Sequence, residues 1–457
     1  MSRTAQADDR SCNASSVLDP VLPGPGEQLV WTGLSGDSLP LVVANAAQQL
    51  NSLLVVITPD MQSAELLQDQ LAFFAGRQAL PVATFPDWET LPYDNFSPHP
   101  DIISERLATL YALHEQHRGL LIVAAPTLLQ RLPPSDFVYQ NSLLLKTGET
   151  LNLDAMRTRL ESAGYRCVSQ VMEHGEFAVR GSLLDLYPMG NSLPFRIDLF
   201  DDEIESIKTF DTDTQRSLET QETIRMLPAR EFPMDETAIR AFRQRFRARF
   251  EGDPQNCSIY RDVSKGIAPA GIEYYLPLFS EQTCTLFDYL PANACMLQLD
   301  ATASACEAFQ QQLQERYEAR RHNIERPVLP PELLFIEHAE LQQHLDGAAR
   351  IDIDLFRGTK TACRKIDYGV RLPGDVRIRP RGEQPAASLL AFIAGFNGRV
   401  LITAESTGGR ESLLDQLRAL GIRLAAVNDW DGFLESQHDI CVTVAPLEQG
   451  LLLDAPR

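Results

Sequence analysis

Two short runs of uninterrupted apolar residues limit the possible folds more than any other feature of this chain. They are LLVVI at 53–57 and LLIVAAP at 120–126. A strand without polar alternation is buried on both faces, which is typical of a parallel sheet covered by helices. The amphipathic segment MQSAELLQDQLAFF, with Asp60 as its N-cap, predicts a helix between the two strands. Residues 27–135 are therefore predicted to form consecutive βαβ units.

Residues 177–210 show a different pattern, in which apolar and polar residues alternate over short segments. The segments are FAVRGSLLDLYP, FRIDLF and EIESIKTF, and an acidic turn at 200–203 joins the last two. Alternation with period two predicts antiparallel strands with one solvated face, and the turn predicts a hairpin. A helical segment, LNLDAMRTRLESAG, precedes them. The region is therefore predicted to be a small antiparallel α+β domain inserted into the α/β fold.

Helical segments return from about residue 229, and an apolar strand, ACMLQLD, occupies 294–300. Prolines in RLPGDVRIRPRGEQP at 371–385 indicate a linker, after which helices and apolar strands alternate again. The predicted organisation is a disordered tail at 1–26, a first α/β region at 27–142, the insert at 143–228, the return of the first region at 229–345, a linker at 346–385 and a second α/β domain at 386–457. We expect this last domain to lack its final strand, as in an N-terminal fragment of a longer protein.

Composition excludes several kinds of protein. The formal net charge is −21, which argues against a chain that clamps nucleic acid through its phosphates. The eight cysteines show no Cys-x-x-Cys spacing, and His99 and His174 have no partner at ligand spacing, so no disulfide scaffold and no metal site are predicted. No apolar run approaches the roughly 20 residues that cross a bilayer, and no signal peptide is visible. A cytoplasmic protein is expected.

The turn GLSGDSL at 33–39 lies where an α/β fold of this kind carries a P-loop. Leu39 and Pro40 stand where the phosphate-binding lysine and the magnesium-binding hydroxyl belong. The strand that ends at Asp300 continues with Ala301, where a water-activating carboxylate is required. We therefore predict a degenerate nucleotide site at Gly33, Gly36, Leu39, Pro40 and Asp300, with no catalytic residues. The predicted fold class is α/β, with a degenerate P-loop or helicase-like parallel sheet interrupted by a small antiparallel α+β domain and followed by a second α/β domain.

The strand FRIDLF at 195–200 has an unusual polar face. Its alternation points one set of residues to the core and leaves Arg196, Asp198 and Phe200 on the solvated side. Arginine and aromatic residues dominate the energetic centres of protein–protein contacts, so this face suggests a docking surface. The alternative is that Phe200 packs under a helix and Arg196 pairs with Asp198 at the surface.

Longer segments resemble one family. DWETLPYDNFSPHPDIISERLATLYAL at 87–113, VMEHGEFAVRGSLLDLYPMG at 171–190 and FRIDLFDDEIESIKTFD at 195–211 are similar to the transcription-repair coupling factors, Mfd. That family begins with a module similar to the excision-repair protein UvrB, and KGIAPAGIEYY at 265–275 also resembles UvrB. The resemblance implies that 27–142 is a UvrB-like domain 1A, 143–228 a UvrA-binding domain 2, 229–345 a domain 1B, and 386–457 the third domain.

The resemblance also implies partners. UvrA is expected to dock on the residues that match the family pattern: Arg166, Arg180, Arg196, Asp198 and Phe200. One departure is Ala178, where UvrB has an arginine. In the whole family protein, an ATP-dependent DNA translocase, the C-terminal domain masks this surface. RNA polymerase, DNA, ATP and magnesium are bound by regions beyond those seen here.

The resemblance therefore predicts a non-catalytic module without cofactors that recruits UvrA and links stalled transcription to nucleotide excision repair. Two alternatives stay open at this point. One is an ATP-dependent DNA-damage-loading factor of the UvrB type, and the other is a purely structural domain that holds the translocase inactive.

Overall fold

The computed structural model describes residues 15–75, 80–355, 363–376, 378 and 386–453. The first region contains four strands and five helices, in agreement with the predicted βαβ pattern. In chain order they are β1 Gln28–Thr32, α1 Ser38–Gln49, β2 Leu53–Thr58, α2 Met61–Phe74, β3 Val82–Phe85, α3 Pro100–Glu115, β4 Gly119–Ala124, α4 Ala125–Leu128 and α5 Ser135–Gln140.

The insert that follows is built mainly of antiparallel strands. Its elements are β5 Leu143–Lys146, α6 Leu153–Ser162, β6 Arg166–Cys167, β7 Glu176–Arg180, β8 Leu183–Leu186, β9 Phe195–Phe200, β10 Glu203–Phe210, β11 Ser217–Gln221 and β12 Thr223–Met226. Strands β6 to β11 form one sheet in the order β11-β10-β9-β8-β7-β6, and β5 pairs with β12 where the chain enters and leaves the insert. The predicted hairpin is confirmed, because Phe200 pairs with Glu203.

The chain then returns to the first sheet. The elements are α7 Glu236–Arg249, α8 Ser258–Ser264, α9 Leu276–Phe279, β13 Cys295–Gln298, α10 Thr302–Arg320, α11 His338–Asp346, β14 Ala349–Asp354 and β15 Arg364–Asp367. Together with the first four strands they complete a seven-stranded parallel sheet in the order β15-β1-β14-β13-β2-β4-β3. The predicted class, an α/β sheet interrupted by an antiparallel domain, is confirmed.

Both faces of the seven-stranded sheet are buried. Along β2, Leu53, Val55 and Ile57 face one core, and Leu54 and Val56 face the other. Every residue of β2 and β4 is buried, as the apolar runs predict. The first core extends into the inner face of the insert sheet, so the insert and the first region share one hydrophobic interior.

The last region forms a smaller α/β unit. Its elements are α12 Ala387–Gly395, β16 Val400–Ala404, α13 Thr407–Ala419, β17 Ala425–Ala426, α14 Trp430–Glu435 and β18 Ile440–Val444. The strands are parallel and follow the order β16-β18-β17, so β18 is central in the described part of the sheet. Whether a further strand completes this sheet stays a prediction.

Two predicted boundaries are wrong. Residues 15–26, assigned to a disordered tail, are ordered: Val17 is buried, and the Trp31 indole donates a hydrogen bond of 3.1 Å to the carbonyl of Val21. Residues 346–385, assigned to a linker, contain β14 and β15. These strands pair with β1 on its two sides, because a parallel strand inside a sheet needs backbone partners on both edges. Residues 1–14 of the tail and 356–362, 377 and 379–385 of the linker lie outside the described part.

A buried ion pair connects the first region to the point where the chain leaves the insert. The Arg106 guanidinium, on α3, donates from Nε to Glu231 Oε1 at 2.7 Å and from Nη1 to the carbonyl of Pro86 at 2.7 Å. The Trp88 indole donates to the other Glu231 oxygen at 2.9 Å. Both charged side chains are almost inaccessible to solvent. Three separate segments therefore meet at one carboxylate.

A second buried carboxylate lies close to the same junction. Glu273 accepts a hydrogen bond of 2.8 Å from the hydroxyl of Ser97, which in turn accepts one of 3.0 Å from the amide of Gly271. Burial raises the pKa of Glu273 to about 7, although the hydrogen bond from Ser97 lowers it, and the nearby charge of Glu231 raises it further. Arg230 acts in the opposite direction and lowers the pKa. Glu273 is therefore partly protonated near neutral pH.

Replacing Glu231 by alanine is expected to destabilise the fold by about 3–5 kcal/mol, because it leaves the Arg106 charge buried without a counter-ion. Urea unfolding followed by circular dichroism measures this. The matched control is Glu281→Ala, which removes a surface partner of Arg245 at 3.8 Å and is expected to cost less than about 1 kcal/mol. Equal effects of the two changes would contradict a structural role for the buried pair.

Replacing Glu273 by glutamine is expected to stabilise the protein at pH 8 by about 1–3 kcal/mol and to have little effect at pH 5. A carboxyl group with a raised pKa contributes stability below its unfolded-state pKa, and that contribution is lost as the pH rises through about 7. Thermal unfolding at both pH values tests this. If Glu273→Gln gains no stability at pH 8 relative to pH 5, burial does not raise the pKa of Glu273.

Candidate protein-docking surface

The outer face of the insert sheet carries most of the predicted docking residues. Along β9, Phe195, Ile197 and Leu199 are buried, while Arg196, Asp198 and Phe200 point away from the core. The alternation that the sequence predicts for FRIDLF is therefore observed. We use the term outer face for six residues that β7, β8 and β9 place on this side: Arg180, Leu183, Asp185, Arg196, Asp198 and Phe200.

Two arginines on this face share one carboxylate. Arg196 donates from Nε and Nη2 to the two oxygens of Asp185 at 2.7 and 3.0 Å, and Arg180 donates from Nη2 to Asp185 Oδ2 at 2.9 Å. The side chain of Asp185 is 3% exposed, that of Arg196 20% and that of Arg180 51%. The alternative that Arg196 pairs with Asp198 is wrong, because the strand register places Asp185 directly opposite Arg196.

Arg196 is fixed by two further contacts. Its Nη1 donates to the carbonyl of Gln215 at 3.1 Å, and its guanidinium carbon lies 4.9 Å from the centre of the Phe210 ring. The hydrogen bond to Asp185 raises the pKa of Arg196, so the group stays charged. Two guanidinium groups around a single carboxylate leave one net positive charge, which is held in a defined position at the middle of the outer face.

Phe200 is the large apolar residue of the outer face. It lies at the end of β9, next to the two-residue turn to β10, and is 70% exposed. The alternative that it packs under a helix is wrong. An exposed phenylalanine on a paired strand is available to a partner, and its burial contributes about 1.5–3 kcal/mol.

Arg166 belongs to the same sheet but lies far from Phe200. Its guanidinium contacts Glu176 at 2.6 Å and Glu173 at 3.3 Å, and the register places it beside Glu176. In the strand register, Arg166 lies about six residues from the level of Phe200, which corresponds to roughly 20 Å along the strand direction. Burial raises the pKa of Glu176, but hydrogen bonds from the amides of Met172 and Glu173 and from Arg166 outweigh it, so the net pKa lies below the usual value.

The structure also shows residues that the sequence did not identify. Asp185 organises the two arginines, and its position opposite Arg196 depends on strand register rather than on local pattern. Ala178, the departure from the UvrB pattern, is buried with Val171 and Phe210 in a small cluster on the outer side of the sheet. The outer side of the sheet is thus covered by its own residues around Ala178, whereas it is exposed to solvent at Arg180 and Phe200.

The predicted degenerate nucleotide site lies at the carboxyl ends of β1 and β13, two interior strands of the seven-stranded sheet. Gly33 and Gly36 have positive φ values of 70° and 59° in the turn from β1 to α1, and Leu39 and Pro40 fall in the first turn of α1. Asp300 follows β13, which is separated from β1 by β14, and its Oδ1 accepts a hydrogen bond of 2.9 Å from the amide of Ala301. Asp37, a residue that the sequence pattern did not single out, is buried in the same turn.

None of the helices in the described part of the chain is long and apolar enough to span a membrane. Within the same residues, no group of three or more histidine, cysteine or carboxylate side chains is arranged to hold a metal ion.

Two family models match separate parts of the chain: the UvrB interaction domain at residues 143–232 and the MFD D3 domain at residues 392–457. Among curated proteins, the transcription-repair-coupling factor of Haemophilus influenzae is 40% identical over 445 residues, which are 97% of this chain and 37% of that protein. The protein of the same name from Escherichia coli K12 is 44% identical over 401 residues, 87% of this chain and 34% of that protein.

A more distant relative, the transcription-repair-coupling factor of Bacillus subtilis, is 27% identical over 314 residues, 66% of this chain and 26% of that protein. The chain thus spans roughly a third of the length of its more similar relatives or less. The first matched region coincides with the antiparallel insert and the second with the smaller α/β unit. The chain belongs to the transcription-repair-coupling factor family, Mfd, of which it carries the UvrB interaction domain and the D3 domain.

Proposed function

We propose that the outer face of the insert binds UvrA and that the chain is a non-catalytic adaptor between stalled transcription and nucleotide excision repair. The observation that supports this most is Phe200, which is 70% exposed on the same face of the insert sheet as Arg180 and Arg196. Arginine and aromatic side chains dominate the energy of protein–protein contacts when a partner removes them from water. The presence of the UvrB interaction domain in the same residues supports the identity of the partner.

On the outer face, Arg180 and Arg196 balance the charges of Asp185 and Asp198, so the cation most open to an acidic partner residue is the Arg180 guanidinium. Arg180 is half exposed and donates to Asp185 through Nη2. Arg196 is held in place by Asp185 and Gln215, so a partner does not have to restrict its side chain on binding. We assign Arg180, Arg196 and Phe200 to the energetic centre, with Asp198 beside them. Arg166, roughly 20 Å away along the sheet, contributes at the rim.

The proposal extends to the rest of the family protein. The C-terminal domain covers the same outer face until the motor engages, and RNA polymerase and DNA are bound by other regions. ATP and magnesium serve the translocase motor, and the chain acts in the cytoplasm. The degenerate turn at 33–40 binds no nucleotide, because no lysine reaches the phosphates and Pro40 removes an amide from the start of α1.

Replacing Phe200 by alanine is expected to weaken UvrA binding about 10- to 100-fold, in line with the burial of one phenylalanine. Isothermal titration of the 457-residue chain with purified UvrA measures the dissociation constant. The matched control is Phe96→Ala, since Phe96 is 71% exposed but lies in the loop between β3 and α3. An unchanged dissociation constant for Phe200→Ala, with the circular dichroism spectrum preserved, would contradict the assignment.

Arg196 is less suitable for a single-site test. A glutamate at this position would place a second carboxylate against the buried Asp185 and would perturb the fold as well as binding. Arg180→Ala tests the contribution of an arginine to binding with less effect on the fold, because Arg196 still neutralises Asp185 in that variant.

The chain is expected to show no measurable binding of ATP with magnesium at millimolar nucleotide, because the turn lacks both the lysine and the hydroxyl ligand. Isothermal titration calorimetry tests this directly. Micromolar affinity would contradict the adaptor assignment and would favour an ATP-dependent loading factor.

A further inference from the structure

The degenerate turn at 33–37 is covered by a distant part of the same chain. Residues 446–453, which we term the closing segment, follow β18 and pass over this turn. Asp37 Oδ2 accepts hydrogen bonds from the amides of Gln449 at 3.0 Å and Gly450 at 2.6 Å. The amide of Asp37 donates in return to the carbonyl of Gly450 at 3.3 Å. Three hydrogen bonds thus join two peptide stretches that lie more than 400 positions apart in sequence.

The approach of the two backbones requires glycine at position 36. This residue has a φ of 59°, a conformation that side chains strongly disfavour. A Cβ atom added there would lie 2.1 Å from the carbonyl oxygen of Gly450 and 2.5 Å from a methyl carbon of Leu372. Position 36 therefore has no space for any side chain while the closing segment is in place.

Apolar contacts surround these hydrogen bonds. The Trp430 ring lies 5.3 Å from the Phe74 ring and 6.4 Å from the Phe73 ring, both on α2. Leu447, Leu451 and Leu453 pack against the second core of the seven-stranded sheet. Gln70 donates to the carbonyl of Pro446 at 3.2 Å. The smaller α/β unit thus touches the first sheet through packed rings as well as through the turn.

The chemistry of the turn is the reverse of that in a working P-loop. There, backbone amides of the loop face the oxygens of a phosphate. Here the loop presents a carboxylate, and the amides that it binds belong to another segment of the chain. A phosphate could not take the same place, because it would meet the charge of Asp37 and the peptide of Gly450.

We propose that the degenerate phosphate loop is a peptide-binding site whose occupant is the closing segment, and that this contact fixes the smaller α/β unit to the first sheet. The same turn residues that are unsuited to a phosphate then provide the contact with the closing segment.

Asp37→Ala removes the acceptor of both amides, and Gly36→Ala inserts a methyl group where the closing segment lies. In the 457-residue chain, both variants are expected to increase amide hydrogen exchange in peptides covering 446–453 at least tenfold. Exchange in β2, at Leu53–Thr58, is expected to stay unchanged. The fluorescence of Trp430 is expected to shift to longer wavelength as its ring leaves Phe73 and Phe74.

The matched control is Ser35→Ala in the same turn, since none of the described hydrogen bonds between this turn and the closing segment uses the Ser35 hydroxyl. UvrA binding, which uses the insert, is expected to be unaffected in all three variants, so this test is separate from that of the docking surface. If Asp37→Ala leaves exchange at 446–453 as slow as in the unmodified chain, the proposal is overturned.

Discussion

The buried pair of Arg106 and Glu231 is the interaction on which the arrangement of the first region and the insert depends. It joins α3, the loop after β3 and the segment that leaves the insert, and its charges have no access to solvent. Two further contacts between α3 and the insert lie nearby: Asp101 with His174 at 2.6 Å and Ser104 with the amide of Gly190 at 2.8 Å. Because these contacts hold the insert from the side of α3, the outer face of its sheet is not needed for internal packing.

The sequence predicts this fold where local pattern decides the structure. LLVVI and LLIVAAP are buried strands, and FRIDLF alternates as expected, because burial on one or both faces determines which residues a strand can contain. The partner of Arg196 could not be predicted. Asp185 becomes its neighbour only through the register of β8 and β9, and a shift by one residue would turn the whole strand over.

The boundary error at 346–385 comes from strand pairing between segments that are distant in sequence. β1 is completed by strands that lie more than 300 residues later in the chain, with Leu29 opposite both Ile351 and Arg364. Short segments rich in charge and close to prolines resemble linkers until their partner strand is known. The turn at 33–40 also could be understood only in part from sequence. The absence of the P-loop lysine and hydroxyl predicts that no nucleotide binds, but only the fold shows that the Asp37 carboxylate binds the amides of Gln449 and Gly450. In this family member the seven-stranded sheet shares a hydrophobic core with the insert, and the insert carries the exposed Phe200 and Arg180 on its outer face.

Hydroxyl-radical footprinting of the 457-residue chain, with and without UvrA, tests the central claim most directly. Phe200 and Phe96 are almost equally exposed, at 70% and 71%, and lie in different parts of the fold, so each reports on its own surface in one experiment. Saturating UvrA is expected to suppress oxidation of Phe200 and to leave that of Phe96 unchanged. Oxidation of Phe200 that continues at the same rate in the complex would contradict the claim.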